Sequence, residues 1–192
     1  MIMMATLIPF IIAAAVIALD QVSKHIILAN MQIGESFNLI KYILNITFTT
    51  NTGASFGILK DHRWIFMSLS TVALILMTSA ILYFMQKKFK GGNMFIASAL
   101  ALMLGGGFGN MIDRVARGYV VDFLEFAFVN FAIFNIADTF ICIGSALFCI
   151  CIFAGKYALF DAADTDNDND DTDDTDAADK PENINNMENT EN

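Results

Sequence analysis

Histidine is scarce in this 192-residue chain: His25 and His62 are the only two, and neither belongs to an H-E-x-x-H pair, so a zinc-peptidase ligand set is lacking. There is no G-x-S-x-G elbow, no P-loop and no G-x-G-x-x-G after a strand, which removes the usual signatures of serine hydrolases, nucleotide triphosphates and dinucleotides. The three cysteines, Cys142, Cys149 and Cys151, crowd into one uncharged stretch. A thiol there behaves as a small hydrophobe and indicates neither a disulfide framework nor a compartment.

Charge is missing over long stretches. Uncharged runs cover residues 2–19, 64–86, 94–112 and 139–155, each near the roughly 20 residues that span a bilayer. The hydrophobic share of 56% also exceeds the roughly 45–50% of soluble domains. These features predict an all-α membrane protein with four transmembrane helices, built as one domain over residues 1–160. The first run has no basic segment ahead of it, and Asp20-Gln21-Val22-Ser23-Lys24 stands where a small-residue cleavage site would be. It reads as a retained helix, not a cleavable signal.

The net charge of −9 is unevenly placed: residues 161–192 hold thirteen acids and one lysine, whereas residues 1–160 carry ten basic and seven acidic residues. The Asp, Asn, Thr and Ala composition of 161–192 cannot bury enough apolar surface to offset ordering entropy, so it predicts a disordered acidic tail. An EF-hand loop needs glycine at its sixth place and a carboxylate at its twelfth; counting from Asp164, those places hold Asn169 and Thr175. A solvated tail is the expectation.

Four spans put both termini on one side, with two long loops (about 25–63 and 113–138) opposite and a tight loop at 87–93 on the same side as the termini. The three lysines of that tight loop, Lys87, Lys88 and Lys90, argue that its side is cytoplasmic. In the first long loop, Ile46-Thr47-Phe48-Thr49-Thr50 alternates and then breaks at Asn51-Thr52-Gly53, predicting a small extracytoplasmic β element.

Ionised groups beside apolar spans are costly and usually kept for a purpose. Asp20 lies about 27 Å along the first helix from Ile2, at the interface, with Lys24 on the same helix face. Spacing alone favours an interfacial i,i+4 ion pair; a clamp orienting the long loops is the sharper alternative. Asn110 stands beside the glycines of GGGFGNMIDR (105–114), where small-residue packing explains the glycines and leaves the amide in need of partners. Asn135 is placed to cap the fourth helix, with Asp138 at its third position. Asp122, flanked by Tyr119-Val120-Val121 and Phe123-Leu124, needs a partner or a proton. With Asp138 as that partner, two carboxylates sharing a low-dielectric pocket divide into an acid and a base, as in aspartic peptidases.

The ordered set DQVSK (20–24), NTGASFG (51–57), GGGFGNMIDR (105–114), VVDF (120–123) and FNIAD (134–138) on four spans resembles the bacterial lipoprotein signal peptidases, or signal peptidase II, over about residues 5–156. The resemblance implies a membrane aspartic endopeptidase that cuts the signal peptide from prolipoproteins just before a diacylglyceryl-modified cysteine and is blocked by globomycin. It implies Asp122 and Asp138 as the catalytic pair, Asn51, Asn110 and Asn135 as residues positioning the pair or the substrate, and Arg114, Asp20 and Lys24 as support. Asp113 lies in a matched motif without an implied catalytic role. The segment 124–133 departs from the family in having neither tryptophan nor histidine, which leaves its loop shape and substrate preference open. No metal or organic cofactor and no nucleic acid is expected. The expected partners are diacylglyceryl prolipoproteins and membrane lipids, around a monomer in the bacterial cytoplasmic membrane with its site on the extracytoplasmic face.

Of the two carboxylates, Asp138 is expected to be the ionised one, because the helix N-terminus favours its charge while apolar flanks favour the neutral form of Asp122. Two other classes compete. A transporter would line a path through the bilayer with Asp20, Asp122 and Asp138, and a structural scaffold would leave Asp122 unexplained.

Overall fold

The computed structural model describes residues 7–53, 63–86 and 91–167. The Lys87, Lys88 and Lys90 cluster, His62, the ASFG half of the NTGASFG motif and residues 168–192 therefore lie outside the described residues. Two units are distinguished, Met1–Gly155 and Lys156–Asn192.

In the first unit, helix α1 covers Ile8–Asn30, strand β1 Ser36–Ile40, strand β2 Leu44–Asn51, helix α2 Arg63–Gln86, helix α3 Gly91–Ala116 and strand β3 Val120–Phe126. Helix α4 begins at Ile136 and carries on into the second unit, ending at Asn167. The tail was expected to lose order at residue 161, yet the helix persists past it: Ala158, Ala162 and Ala163 are good helix formers, and neither glycine nor proline interrupts 156–167.

The four apolar runs become four segments long and apolar enough to cross a membrane: Ile8–Asn30, Met67–Met85, Met94–Ala116 and Ile136–Phe153. Half of the α3 window is buried, against 28% for α1 and 11% for α2 and α4, so α3 is the helix the others pack on. Glycines allow that packing. A Cβ on Gly105 would stand 2.7 Å from Val16 Cβ, and one on Gly109 would stand 2.5 Å from Asp20 Oδ2. These contacts advance in the same sense along both chains, so α1 and α3 run parallel. Gly106 meets Ala137 whereas Gly144 meets Ala99, so α4 runs antiparallel to α3. The end of α3 that carries Asn110 and Asp113 is thereby brought beside Asp20 and Lys24 of α1 and the start of α4.

The β element is larger than the one short strand that the sequence predicts. It is a three-stranded antiparallel sheet in the order β1-β2-β3. The alternation in β2 is real, with Ile46 and Phe48 turned inward to meet Ile27, Val121 and Phe123 in a small core against the end of α1. Val121 and Phe123 occupy one face of β3, so pleating sends Asp122 to the other.

Candidate active site

Helix α4 starts with a reciprocal cap. Asn135 Oδ1 accepts the Asp138 N–H at 2.9 Å, and Asp138 Oδ2 accepts the Asn135 N–H at 3.2 Å, the capping-box arrangement the FNIAD spacing predicts. The cap fixes the rotamer of Asp138, whose Oδ1 accepts 2.8 Å from Asn110 Nδ2. Asp122 is held from two sides: Asn135 Nδ2 donates to its Oδ1 at 2.7 Å and Asn51 Nδ2 to its Oδ2 at 3.2 Å. Asn51 is the last residue of β2, and its side-chain Oδ1 accepts the Gly53 N–H at 3.0 Å, which locks the amide with its NH2 toward Asp122. Asn135 thus touches both carboxylates and joins the strand half of the site to the helix half.

Asp122 and Asp138 open into one cavity of about 590 Å³, together with Asn51, Asn110 and Arg114. The Arg114 guanidinium donates to the Asn110 carbonyl at 3.2 Å and lies within electrostatic reach of both aspartates. The opposite wall is apolar. Phe126, Phe131 and Phe134 line it, and their rings pack at centroid distances of 5.1–6.1 Å. This wall is the 124–133 segment together with Phe134, which follows it. Its first three residues finish β3, and the chain then folds back so that the Phe134 carbonyl accepts from Phe123 and Leu124 N–H, at 2.9 and 2.7 Å. Phenylalanines supply here the aromatic surface that tryptophan or histidine was expected to give.

Asp122 is 2% exposed. Burial, and after it the charge of Asp138, push its carboxyl up to about 7, against the downward pull of the Asn51 and Asn135 hydrogen bonds and the Lys24 charge. A carboxylic acid poised there holds a proton at neutral pH and can still give it up.

Asp20 and Lys24 do not line the cavity; they lie beneath it, and the i,i+4 pair that spacing favours is present and fully buried. Helix α1 continues to Asn30, so Lys24 stands more than a turn inside it and the long loop begins later than residue 25. Lys24 Nζ is 2.9 Å from Asp20 Oδ2, 3.0 Å from Asp113 Oδ2 and 2.9 Å from Asn110 Oδ1. Asp113, which has no implied catalytic role, is 0% exposed and also pairs with Arg117. Gln21 joins the group through Gly109 O, Asp20 and Asp113. Among the described residues, every buried side-chain nitrogen and oxygen has a partner. No group of three His, Cys, Asp or Glu among them is placed to hold a metal ion.

Every residue singled out as a site candidate therefore falls into this cavity or directly beneath it. Gln21 and Arg117 were missed, and Asp113 was named without a role. Arg117 at i+4 from Asp113 looks in sequence like an ordinary surface pair, but Asp113 is fully buried between Lys24 of α1 and Val121 of β3.

Residues 12–154 match the family model described as signal peptidase (SPase) II. A lipoprotein signal peptidase from Halalkalibacterium halodurans is 44% identical over 137 residues, covering 70% of this chain and 85% of that protein. One from Bacillus subtilis is 41% identical over 140 residues, covering 72% and 88%. Among solved structures, a bacterial membrane enzyme determined by the in meso method at 2.3 Å resolution superposes with a TM-score of 0.69 at 39% identity, covering 77% of this chain and 88% of that one. Four helices long and apolar enough to span a membrane, with a small three-stranded sheet, agree with that likeness, and the chain belongs to the signal peptidase II family of aspartic peptidases.

Proposed function

We propose that this protein removes signal peptides from prolipoproteins, cleaving before a cysteine that carries diacylglyceryl, with Asp122 and Asp138 as its catalytic pair. The observation that carries the reading is the pair itself: two carboxylates open to one cavity, one of them poised near neutrality. The relatives' name, lipoprotein signal peptidase, supports the substrate.

In the reaction, ionised Asp138 takes a proton from a water lodged between the pair, and protonated Asp122 donates to the scissile carbonyl oxygen. The water oxygen adds to the carbonyl carbon and gives a tetrahedral intermediate with no acyl-enzyme. On collapse, the proton now on Asp138 passes to the leaving nitrogen, the carbon–nitrogen bond breaks, and Asp122 recovers its proton from the intermediate. The Asn110 amide and the Asn135 backbone N–H stabilise charge on Asp138, and the α4 N-terminus adds its dipole. Arg114, at the cavity edge, offers donors to substrate carbonyls.

The amphipathic shape of the cavity suits this substrate. Acyl chains lie along the phenylalanine wall and in lipid, while the peptide bond meets the polar floor after unwinding, since a helical carbonyl is already hydrogen-bonded. With the termini in the cytoplasm, the sheet end and the site face the extracytoplasmic side, and a single chain supplies every residue named.

Mass spectrometry of the products made by purified protein from a diacylglyceryl-modified prolipoprotein tests the reading. Cleavage at the bond preceding the lipidated cysteine, with the unlipidated precursor left intact, is expected. Cleavage elsewhere, or equal use of the unlipidated form, contradicts it.

A further inference from the structure

The backbone amides immediately before the two catalytic aspartates are each tied to a buried carboxylate with no part in the proposed chemistry. Val121 N–H, before Asp122, donates to Asp113 Oδ2 at 3.2 Å. Ala137 N–H, before Asp138, donates to Asp20 Oδ1 at 3.0 Å. Both carboxylates converge on one ammonium, Lys24 Nζ, whose third contact is the side-chain Oδ1 of Asn110. The three donors of that ammonium are thus committed. Asp20, Lys24 and Asp113 are all 0% exposed.

From these contacts we infer that Asp20, Lys24 and Asp113 form a positioning clamp that sets the spacing of Asp122 and Asp138, an inference that rests on reading those two aspartates as the catalytic pair. The strand and the helix that carry the pair arrive from separate parts of the chain, and each is tied to the helix frame through the amide just before its aspartate. First-turn amides of a helix are unpaired by construction, and Ala137 is one of these. The clamp is anchored on the packed helices α1 and α3, so it refers both halves of the pair to one rigid frame. Lys24 also fixes the Asn110 amide: with its oxygen on the ammonium, its NH2 must face Asp138. A buried ion pair is weak evidence for stability, because desolvation offsets its attraction. Its worth here is geometric, since a catalytic pair misplaced by about 1 Å loses on the order of a hundredfold in rate.

The test is steady-state kinetics of full-length protein in detergent on a diacylglyceryl-modified prolipoprotein, with Asp122→Asn as the control for the pair. Asp20→Asn and Asp113→Asn are each expected to lower kcat by about a hundredfold, with KM within about threefold of wild type. The double variant should be no slower than the worse single one, because both tethers serve one spacing. Asp20→Glu and Asp113→Glu keep the charge on Lys24 while displacing the tether, and should lose kcat with Tm held near wild type. The clamp is overturned if the effect lies wholly in KM, if the two losses multiply, or if lost activity follows the lost folded fraction. Failure of both the Asn and Glu forms to fold assigns the three residues to stability and also overturns it. If wild type does not cut, or Asp122→Asn cuts normally, the catalytic pair itself is wrong. If those controls behave and Asp20→Asn and Asp113→Asn retain kcat, only the clamp falls.

Discussion

Asp122 draws its reactivity from burial more than from its partner, as the order of causes behind its raised pKa shows. As an acid that must be protonated to work, it should impose an alkaline limb near pH 7 on kcat/KM; a rate flat from pH 4 to 9 would contradict the shared-proton mechanism. The same shift has a sign for stability. The folded protein holds a proton that the unfolded chain releases between about pH 4 and 7, so this contribution is complete below that window and lost as pH rises through 7. Measured between pH 4 and 8, the Tm of wild type should therefore fall relative to that of Asp122→Asn. Parallel curves would show that the group is not perturbed. At this scale much was legible. Asp122 has apolar neighbours on both sides and no local excuse for its charge, and Asn135 with Asp138 carry the spacing of a cap. Asp113 was not legible, because what defines it is a lysine on another helix.

Helix packing at Gly109 is tight enough to matter for chemistry. A Cβ there meets Asp20 Oδ2, and the neighbouring backbone is fixed by Gln21. Gly109→Ala is expected to destabilise the protein by about 1–3 kcal/mol through overpacking and to depress cleavage by moving Asp20; unchanged Tm and rate would show that α1 gives way freely. The α4 cap is a second element-scale joint. Asn135→Ala should cost about 1 kcal/mol as a lost N-cap and lower kcat more than Tm alone explains, because the same amide holds Asp122. A rate that follows the folded fraction would reduce Asn135 to a cap. The strands were only partly legible at this scale. Residues 44–51 alternate, but Val120–Phe123 are buried without a break, and such a run does not distinguish strand from helix. All of β1 is exposed, so it has no burial pattern to read.

Over the whole molecule, four uncharged runs were enough to count the spans, since a bilayer rewards length and apolarity whatever the side-chain detail. They misplaced the first helix boundary because charge was taken as an end, while Asp20 and Lys24 neutralise one another inside the fold and let α1 continue to Asn30. The residues from Lys156 onward form a separate unit, and every residue named at the site belongs to the first. Deleting residues 161–192 should therefore leave kcat and KM within about twofold of wild type; loss of activity in correctly inserted protein would give the tail a part in catalysis. The central claim, that one carboxylate pair cuts lipidated precursors, is tested most directly by comparing purified wild type with Asp122→Asn and Asp138→Asn on a diacylglyceryl-modified prolipoprotein, after each is shown to be folded by its Tm. The account predicts that wild type cleaves while either variant is slower by at least about a thousandfold. Normal cleavage by either variant would contradict it.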